Sequence, residues 1–265
     1  MVVAGAIAHT TNEDPKNLSR NMRWTLDGDF LAAKDPSPVM IPESRVSKLS
    51  AFVAGNEYFT SQKVWVLEVM KKEHRLVAGA PCAKLAVVRK LRQAIAADFP
   101  NLVAPTTADP LLEDVFRPKF YQISEKGWAL TVAPDLGLSD CRLHMEGKET
   151  IFCIPLSNIT GDTLAEKEKA LGAMPIQQFL EVVNSSGFSY HVEAPCLIVI
   201  PGHYAVITIG NQSSKVHGMH WSIPGGPVSQ SRALEFLDMM QPHSGSVGAH
   251  LRGYLQELIE KAGKE

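Results

Sequence analysis

Short apolar runs separated by tight-turn signals dominate the second half of the chain. Residues 197–200 form a wholly apolar run that ends at a Pro-Gly pair. A second run covers residues 204–209 and ends at a Gly-Asn pair, and a third begins near Lys215. Runs of this length, closed by turn residues, are typical of buried strands with tight corners. Three of them in succession predict a β-sandwich or a barrel.

Other segments carry strand-like or helical patterns. Apolar residues around 128–132 and 150–154 predict further strands, and the run 63–70 is also interpreted as a strand. Residues 81–98 place apolar side chains one helical turn apart and predict a helix. The basic side chains of that helix lie mostly off its apolar face, which is typical of a solvated helix surface. The N-terminal part is rich in Asn, Asp, Pro and Ser and predicts an irregular arm.

Two further helical regions are predicted after the first strands. Thr163 and Glu166 have the spacing of a capping box, so a helix should begin there, and a second helical piece covers residues 176–183. After residue 227 the pattern is helical to the end. One apolar stripe in the last helix would pack on the body of the protein or form a homodimer surface; it contains Leu251, Tyr254, Leu255, Leu258 and Ile259.

Composition narrows the class of protein. The chain has 265 residues, 45% of them hydrophobic and 20% charged, with a net charge of -2. These values argue against a disordered chain and give no overall attraction to nucleic acid. No apolar run reaches the roughly 20 residues that a membrane span needs. The four cysteines lack Cys-x-x-Cys spacing, which argues against a zinc ribbon and favours a reducing, intracellular location, cytoplasmic or nuclear.

The candidate chemistry lies in one His-x-Glu pair and one later histidine. His144 and Glu146 are two residues apart on a strand-like segment, and such residues point to the same face of a sheet. His203, just after the Pro-Gly corner, would supply a third ligand. Two histidines and one carboxylate on one face form the facial triad of Fe(II) oxygenases. His191 and Glu193 repeat the spacing at a strand end, where a metal role is less expected.

His217 and His220 are three residues apart, so a helix would bring them onto one face and suggest zinc. The neighbouring Val, Gly, Met and Trp favour a strand instead. On a strand the two histidines point to opposite faces, and one of them could face a pocket. The core or a hydrogen bond is the expected place for both.

The region around these histidines resembles a known protein family. Residues 137–146, Gly-Leu-Ser-Asp-Cys-Arg-Leu-His-Met-Glu, resemble the region around the His-x-Asp/Glu motif of the jumonji C (JmjC) oxygenases. Residues 193–204 resemble that family's later strand and Pro-Gly corner, which the distal metal histidine follows. The resemblance covers roughly residues 115–225. It implies a mainly β fold with helical additions: a double-stranded β-helix of the jelly-roll, cupin-like type.

The resemblance also implies cofactors and a reaction. Fe(II) would be held by His144, Glu146 and His203, with 2-oxoglutarate as co-substrate. The implied activity is hydroxylation or demethylation of a protein side chain, so a protein substrate or partner is expected. Arg142, Lys148 and Lys215 are candidates for the distal carboxylate of 2-oxoglutarate. Further candidate contacts to this co-substrate are Tyr204 and Thr208.

One difference from the family keeps other functions open. The family's distal histidine follows the glycine by at least two residues, whereas His203 follows Gly202 directly. A slip of one residue on a strand turns a side chain to the opposite face. The alternative is therefore an inactive JmjC-like or cupin barrel that acts as a binding or scaffold module. A third reading is a cupin with another divalent metal and no co-substrate.

The chain is accordingly divided into four parts. Residues 1–50 are predicted to form the irregular arm, and residues 51–115 a mixed strand and helix support region. Residues 116–225 would form the JmjC-like core, and residues 226–265 the C-terminal helices.

Overall fold

The computed structural model describes residues 37–41, 43–73, 77–123, 127–131, 134–210, 215–240 and 245–263. Ten strands lie in these residues. They are β1 (Val39–Ile41), β2 (Val77–Pro81), β3 (Lys119–Ile123), β4 (Trp128–Thr131), β5 (Ser139–Glu146), β6 (Lys148–Pro155), β7 (Phe188–Glu193), β8 (Cys196–Ile200), β9 (Tyr204–Gly210) and β10 (Val216–Ile223).

Eight α-helices lie in the same described ranges and contain more residues than the strands. They are α1 (Glu43–Ala54), α2 (Glu57–Glu73), α3 (Leu85–Asp98), α4 (Pro110–Val115), α5 (Leu164–Ala173), α6 (Ile176–Ser186), α7 (Pro227–Met239) and α8 (Gly245–Ala262). None of the described helices is long and apolar enough to cross a bilayer.

The strands form two antiparallel sheets. The first has the order β1-β8-β5-β10-β3-β2 and the second has the order β4-β9-β6-β7. From β3 to β10 the chain passes from one sheet to the other between consecutive strands, except between β6 and β7. Helices α5 and α6 lie in that exception, so the helical insertion predicted between the strands is confirmed.

Alternating side chains divide the apolar residues into layers. Leu143, Val199 and Trp221 point from the first sheet into a core shared with helices α1–α4, α7 and α8. Phe152 and Ile207 point from the second sheet toward α5 and α6. A third cluster joins the two sheets face to face, because it contains β8 residues together with residues of β6, β7 and β9: Met40, Ile151, Cys153, Tyr190, Val192, Cys196, Ile198, Ile200, Tyr204 and Val206.

Most predicted elements are confirmed, with small shifts of their ends. The predicted runs 197–200 and 204–209 are strands β8 and β9. Thr163 caps α5, because its hydroxyl oxygen accepts a hydrogen bond from the Glu166 amide. In return, the Glu166 carboxylate accepts a hydrogen bond from the Thr163 amide. In the C-terminal stripe Leu251 and Leu255 pack in the core of this same chain.

Two predictions differ from the structure. Residues 63–70 are wrong as a strand, because they belong to α2, whose buried side chains Phe59, Val66 and Met70 recur at helical spacing. The arm predicted over residues 1–50 is shorter than expected, since residues 39–41 pair with β8 and α1 begins at Glu43. Residues 1–36 lie outside the described residues.

Candidate functional site

The two residues of the His-x-Glu pair do not share a face. In the β5–β10 pairing, Gly218 is opposite His144 and His217 is opposite Glu146, so β5 carries one extra residue, Met145. Such a bulge breaks the alternation of side chains. His144 is fully buried, whereas the Glu146 side chain is 56% exposed and forms an ion pair with Lys63 of α2.

The third predicted iron ligand lies at the other end of the same strand pair. Asp140 of β5 is opposite Ile200, and His144 is opposite Cys196, so His203 lies beyond the Asp140 end. Asp140 and His144 are four steps apart along β5, or roughly 13 Å at the usual rise per residue. His203 instead accepts a hydrogen bond from Arg232, with 2.7 Å between Nη1 and Nε2.

The predicted iron ligands therefore do not fit one metal centre. His144, Glu146 and His203 occupy three separate environments: between the sheets, on the outer surface, and beside α7. Within the described ranges, no three His, Cys, Asp or Glu side chains come together as a metal-binding group. In the second His-x-Glu copy each residue has its own partner on β6, since His191 contacts Thr150 and Glu193 pairs with Lys148.

The structure brings together two of the five candidate co-substrate contacts. Arg142 Nη1 donates to Thr208 Oγ1 over 2.9 Å, and this bond links the first sheet to the second. Lys148 is exposed and pairs with Glu193 over 2.8 Å, while Lys215 is exposed just before β10. Tyr204 lies in the apolar cluster between the sheets, next to His203.

Polar side chains around the Arg142–Thr208 bond form what we call the inter-sheet polar cluster. Alternate residues of β5 enter it, because every second side chain of a strand faces the same way. The strands β3, β6, β9 and β10 each add one side chain. Its members are Tyr121, Asp140, Arg142, His144, Glu149, Thr208 and His220.

One half of the cluster is an ion pair supported by a histidine. Arg142 Nε donates to Asp140 Oδ2 over 2.6 Å, and His220 Nδ1 lies 3.3 Å from Asp140 Oδ1. Burial by itself would raise the pKa of Asp140, but the charge of Arg142 and the contact with His220 lower that pKa well below its ordinary value. Asp140 is therefore a buried carboxylate that stays ionised.

The other half contains a carboxylate without a hydrogen bond. Glu149 is 3% exposed, and neither of its carboxylate oxygens has a hydrogen-bond partner among the described residues. Glu149 Oε1 lies 3.0 Å from His144 Nδ1, but the angle of this contact does not suit a hydrogen bond. Burial, followed by the nearby Glu149 charge, raises the pKa of Tyr121 well above its ordinary value. Tyr121 therefore remains a neutral phenol beside the carboxylate.

The cluster reaches solvent along one edge. The side chains of Arg142 and His220 are 13% and 24% exposed, and Tyr121 is half-buried. Gly218 makes room for the Tyr121 ring, since a Cβ at that position would lie 2.5 Å from it. A small molecule would therefore meet Arg142, His220 and Tyr121 first, and Glu149 at greater depth.

His217 and His220 point to opposite faces, as the strand interpretation predicts. His220 enters the inter-sheet polar cluster, while His217 stacks on Phe120 with the ring planes at 3°. Burial, and then the charge of Lys63 with a smaller effect of His144, lowers the pKa of His217 to about 4, although Glu146 acts in the opposite direction. His217 is 7% exposed, so it is a neutral core residue at physiological pH.

The lowered pKa of His217 predicts a loss of stability in weak acid. Between its ordinary pKa and about 4 the unfolded chain binds a proton that the folded chain does not, so the free energy of unfolding falls as the pH falls. From pH 7 to pH 5 we expect His217 to contribute a loss of about 2 kcal/mol. Urea unfolding of His217→Phe should lack this contribution. The prediction would be contradicted if the free energy of unfolding changed equally with pH in the wild type and in His217→Phe.

Asp140, Glu149 and Tyr121 were not identified from the sequence. Asp140, Arg142 and His144 alternate with apolar Cys141, Leu143 and Met145 in the sequence. This polar alternation inside a buried strand is the signal that would have pointed to them. Comparison with protein-family models and with curated proteins finds no match to this chain.

Proposed function

We propose that this chain is a double-stranded β-helix of the JmjC-like, cupin type that acts as a binding module, with the inter-sheet polar cluster as its ligand site. The strand order supports this fold. Four strands of one sheet, β3-β10-β5-β8, face the four strands β4-β9-β6-β7, and the chain alternates between them. Such alternation is typical of jelly rolls, whose interior holds ligands in many families.

Glu149 is the observation that carries the proposal. A buried carboxylate without a hydrogen bond is costly in a folded protein, and native structures contain few such groups. His144 Nδ1 lies 3.0 Å from Glu149 Oε1 but forms no well-directed hydrogen bond to it. A ligand that donates a hydrogen to Glu149 would remove the cost, so the cluster is arranged for a molecule that enters between the sheets.

The charges of the cluster select the chemistry of the ligand. Arg142 and His220, at the accessible edge, suit a carboxylate, because guanidinium groups bind carboxylates with two parallel bonds. Glu149, at greater depth, suits an N–H or O–H donor. A small amino acid or hydroxy acid satisfies both ends. 2-Oxoglutarate would satisfy only the Arg142 end, since it has no donor for Glu149.

Fe(II)- and 2-oxoglutarate-dependent oxygenation of a protein side chain is the second candidate. The Arg142–Thr208 contact favours it, because both residues are candidate contacts of the co-substrate. The separation of His144, Glu146 and His203 opposes it. The two candidates differ in whether ligand binding requires a metal.

Binding without metal is the expected result. We expect glutamate or 2-hydroxyglutarate to bind the chelator-treated protein in isothermal titration, and Glu149→Gln to weaken binding at least about tenfold through loss of a charged hydrogen bond. Glu193→Gln, which makes the same change on an exposed strand end, is the matched control.

Anaerobic titration with Fe(II) and 2-oxoglutarate separates the candidates. The binding module predicts no visible charge-transfer band. A band that needs both components and disappears in His144→Ala would overturn the proposal in favour of the oxygenase. The proposal would also be overturned if neither glutamate nor 2-hydroxyglutarate binds to protein that circular dichroism shows to be folded.

A further inference from the structure

A second concave site lies outside the inter-sheet polar cluster. It is a pocket of about 450 Å³, where the end of β6 and the turn after it face α7. Pockets for small molecules have volumes of roughly 300–1,000 Å³, so its size suits a metabolite. The start of β9 and one side chain of α5 complete the wall.

Helix α7 gives the pocket an apolar floor with a charged rim. Arg232, Glu235, Phe236 and Met239 recur at intervals of three or four residues and therefore lie on one helix face. Phe236 is buried and Met239 is half-buried, whereas Glu235 is exposed. Across the pocket, buried Tyr204 adds a second apolar surface.

Lys167 places a buried cation against this pocket. Its Nζ donates to the carbonyl oxygens of Leu156 and Ile159, over 3.0 and 2.7 Å. An ammonium group has three hydrogens to donate, so these bonds leave one. Among the described residues Nζ forms no ion pair, although its charge acts on the neighbouring Glu166 carboxylate. A buried charge without an ion-pair partner is costly, and an anion in the pocket would reduce that cost.

Arg232 adds a second cation that is held in place. Its Nη1 lies 2.7 Å from His203 Nε2, which acts as the acceptor. The His203 ring packs on Tyr204, with 4.6 Å between ring centroids. The corner after β8 therefore positions the guanidinium beside the pocket. This is a role for His203 that differs from metal binding.

We propose that this pocket binds a small organic anion with an apolar body. The charged end, a carboxylate or a phosphate monoester, lies between Lys167 and Arg232, and the apolar body rests on Tyr204, Phe236 and Met239. Glu235 at the rim disfavours a second negative group at the far end of the ligand. The site is independent of the inter-sheet polar cluster, so neither proposal depends on the other.

Isothermal titration with 1-naphthoate tests the site directly. We expect one saturable site per chain and at least about tenfold weaker binding of the neutral analogue 1-naphthamide, because a charged hydrogen bond contributes about 1.5–3 kcal/mol. Arg232→Gln and Lys167→Met should each weaken 1-naphthoate by a similar factor. Lys169→Met removes the same charge from an exposed position of the same helix and should leave binding unchanged.

Two further titrations show which chemical group of the ligand is responsible for binding. 1-Naphthyl phosphate shows whether a phosphate replaces the carboxylate, and inorganic phosphate shows whether the charge alone suffices. Equal affinities for 1-naphthoate and 1-naphthamide would overturn the proposal, because binding would then be apolar only. Unchanged affinity in both Arg232→Gln and Lys167→Met, or no binding by folded wild type, would also overturn it. Glu149→Gln should have no effect here.

Discussion

Replacing Arg142 by methionine is expected to destabilise the protein by about 3–5 kcal/mol, because it leaves a buried charge without its partner. Asp140 is 1% exposed and accepts a 2.6 Å hydrogen bond from Arg142 Nε. The substitution also removes the bond to Thr208 that joins the two sheets. His220 alone, 3.3 Å away, would then face the carboxylate.

Urea unfolding of a double variant identifies the source of this loss of stability. Asp140→Leu combined with Arg142→Met removes both charges, and replacement of a buried ion pair by apolar residues is often neutral or stabilising. We therefore expect the double variant to be more stable than Arg142→Met alone. A loss of stability below about 1 kcal/mol in Arg142→Met would match an exposed ion pair and would contradict a strong interaction between Arg142 and buried Asp140.

The strands of the second half could be predicted because their local signals agree. β8 and β9 are apolar runs closed by turn residues, and nothing in the tertiary structure opposes that pattern. The capping box of Thr163 and Glu166 is equally local and is present as expected. Helix α2 was missed because Val64, Trp65 and Val66 have strand propensities, whereas the packing of Phe59 and Met70 fixes a helical face.

The site was less predictable because it depends on register. The metal hypothesis assumed unbroken alternation between His144 and Glu146, and a single bulge at Met145 separates them. A bulge is set by the pairing of two strands, so the sequence of one strand does not reveal it. Arg142 and Thr208 were candidates from the sequence, but their contact joins residues of different sheets. That proximity follows only from the packing of the two sheets.

Gly202→Ala is expected to destabilise the protein by about 3 kcal/mol or more, because the added methyl group meets backbone that cannot rotate away. A Cβ at Gly202 would lie 1.8 Å from the carbonyl oxygen of Gly137. Gly137 has a positive φ of 83° and ends the turn just before β5. The corner after β8 therefore sits directly on the turn that precedes β5.

This contact also determines where His203 lies, since His203 follows Gly202 in the same corner. We expect Gly202→Ala to weaken 1-naphthoate binding in whatever fraction remains folded, because Arg232 depends on His203 for its position. Gly253→Ala is the matched control, since no atom lies within 4 Å of its added Cβ in helix α8. That change should stabilise the helix by about 0.5–1 kcal/mol. If Gly202→Ala and Gly253→Ala unfold at the same urea concentration, the corner can relax around the added methyl group. The close packing of Gly202 against Gly137 would then not be important for stability.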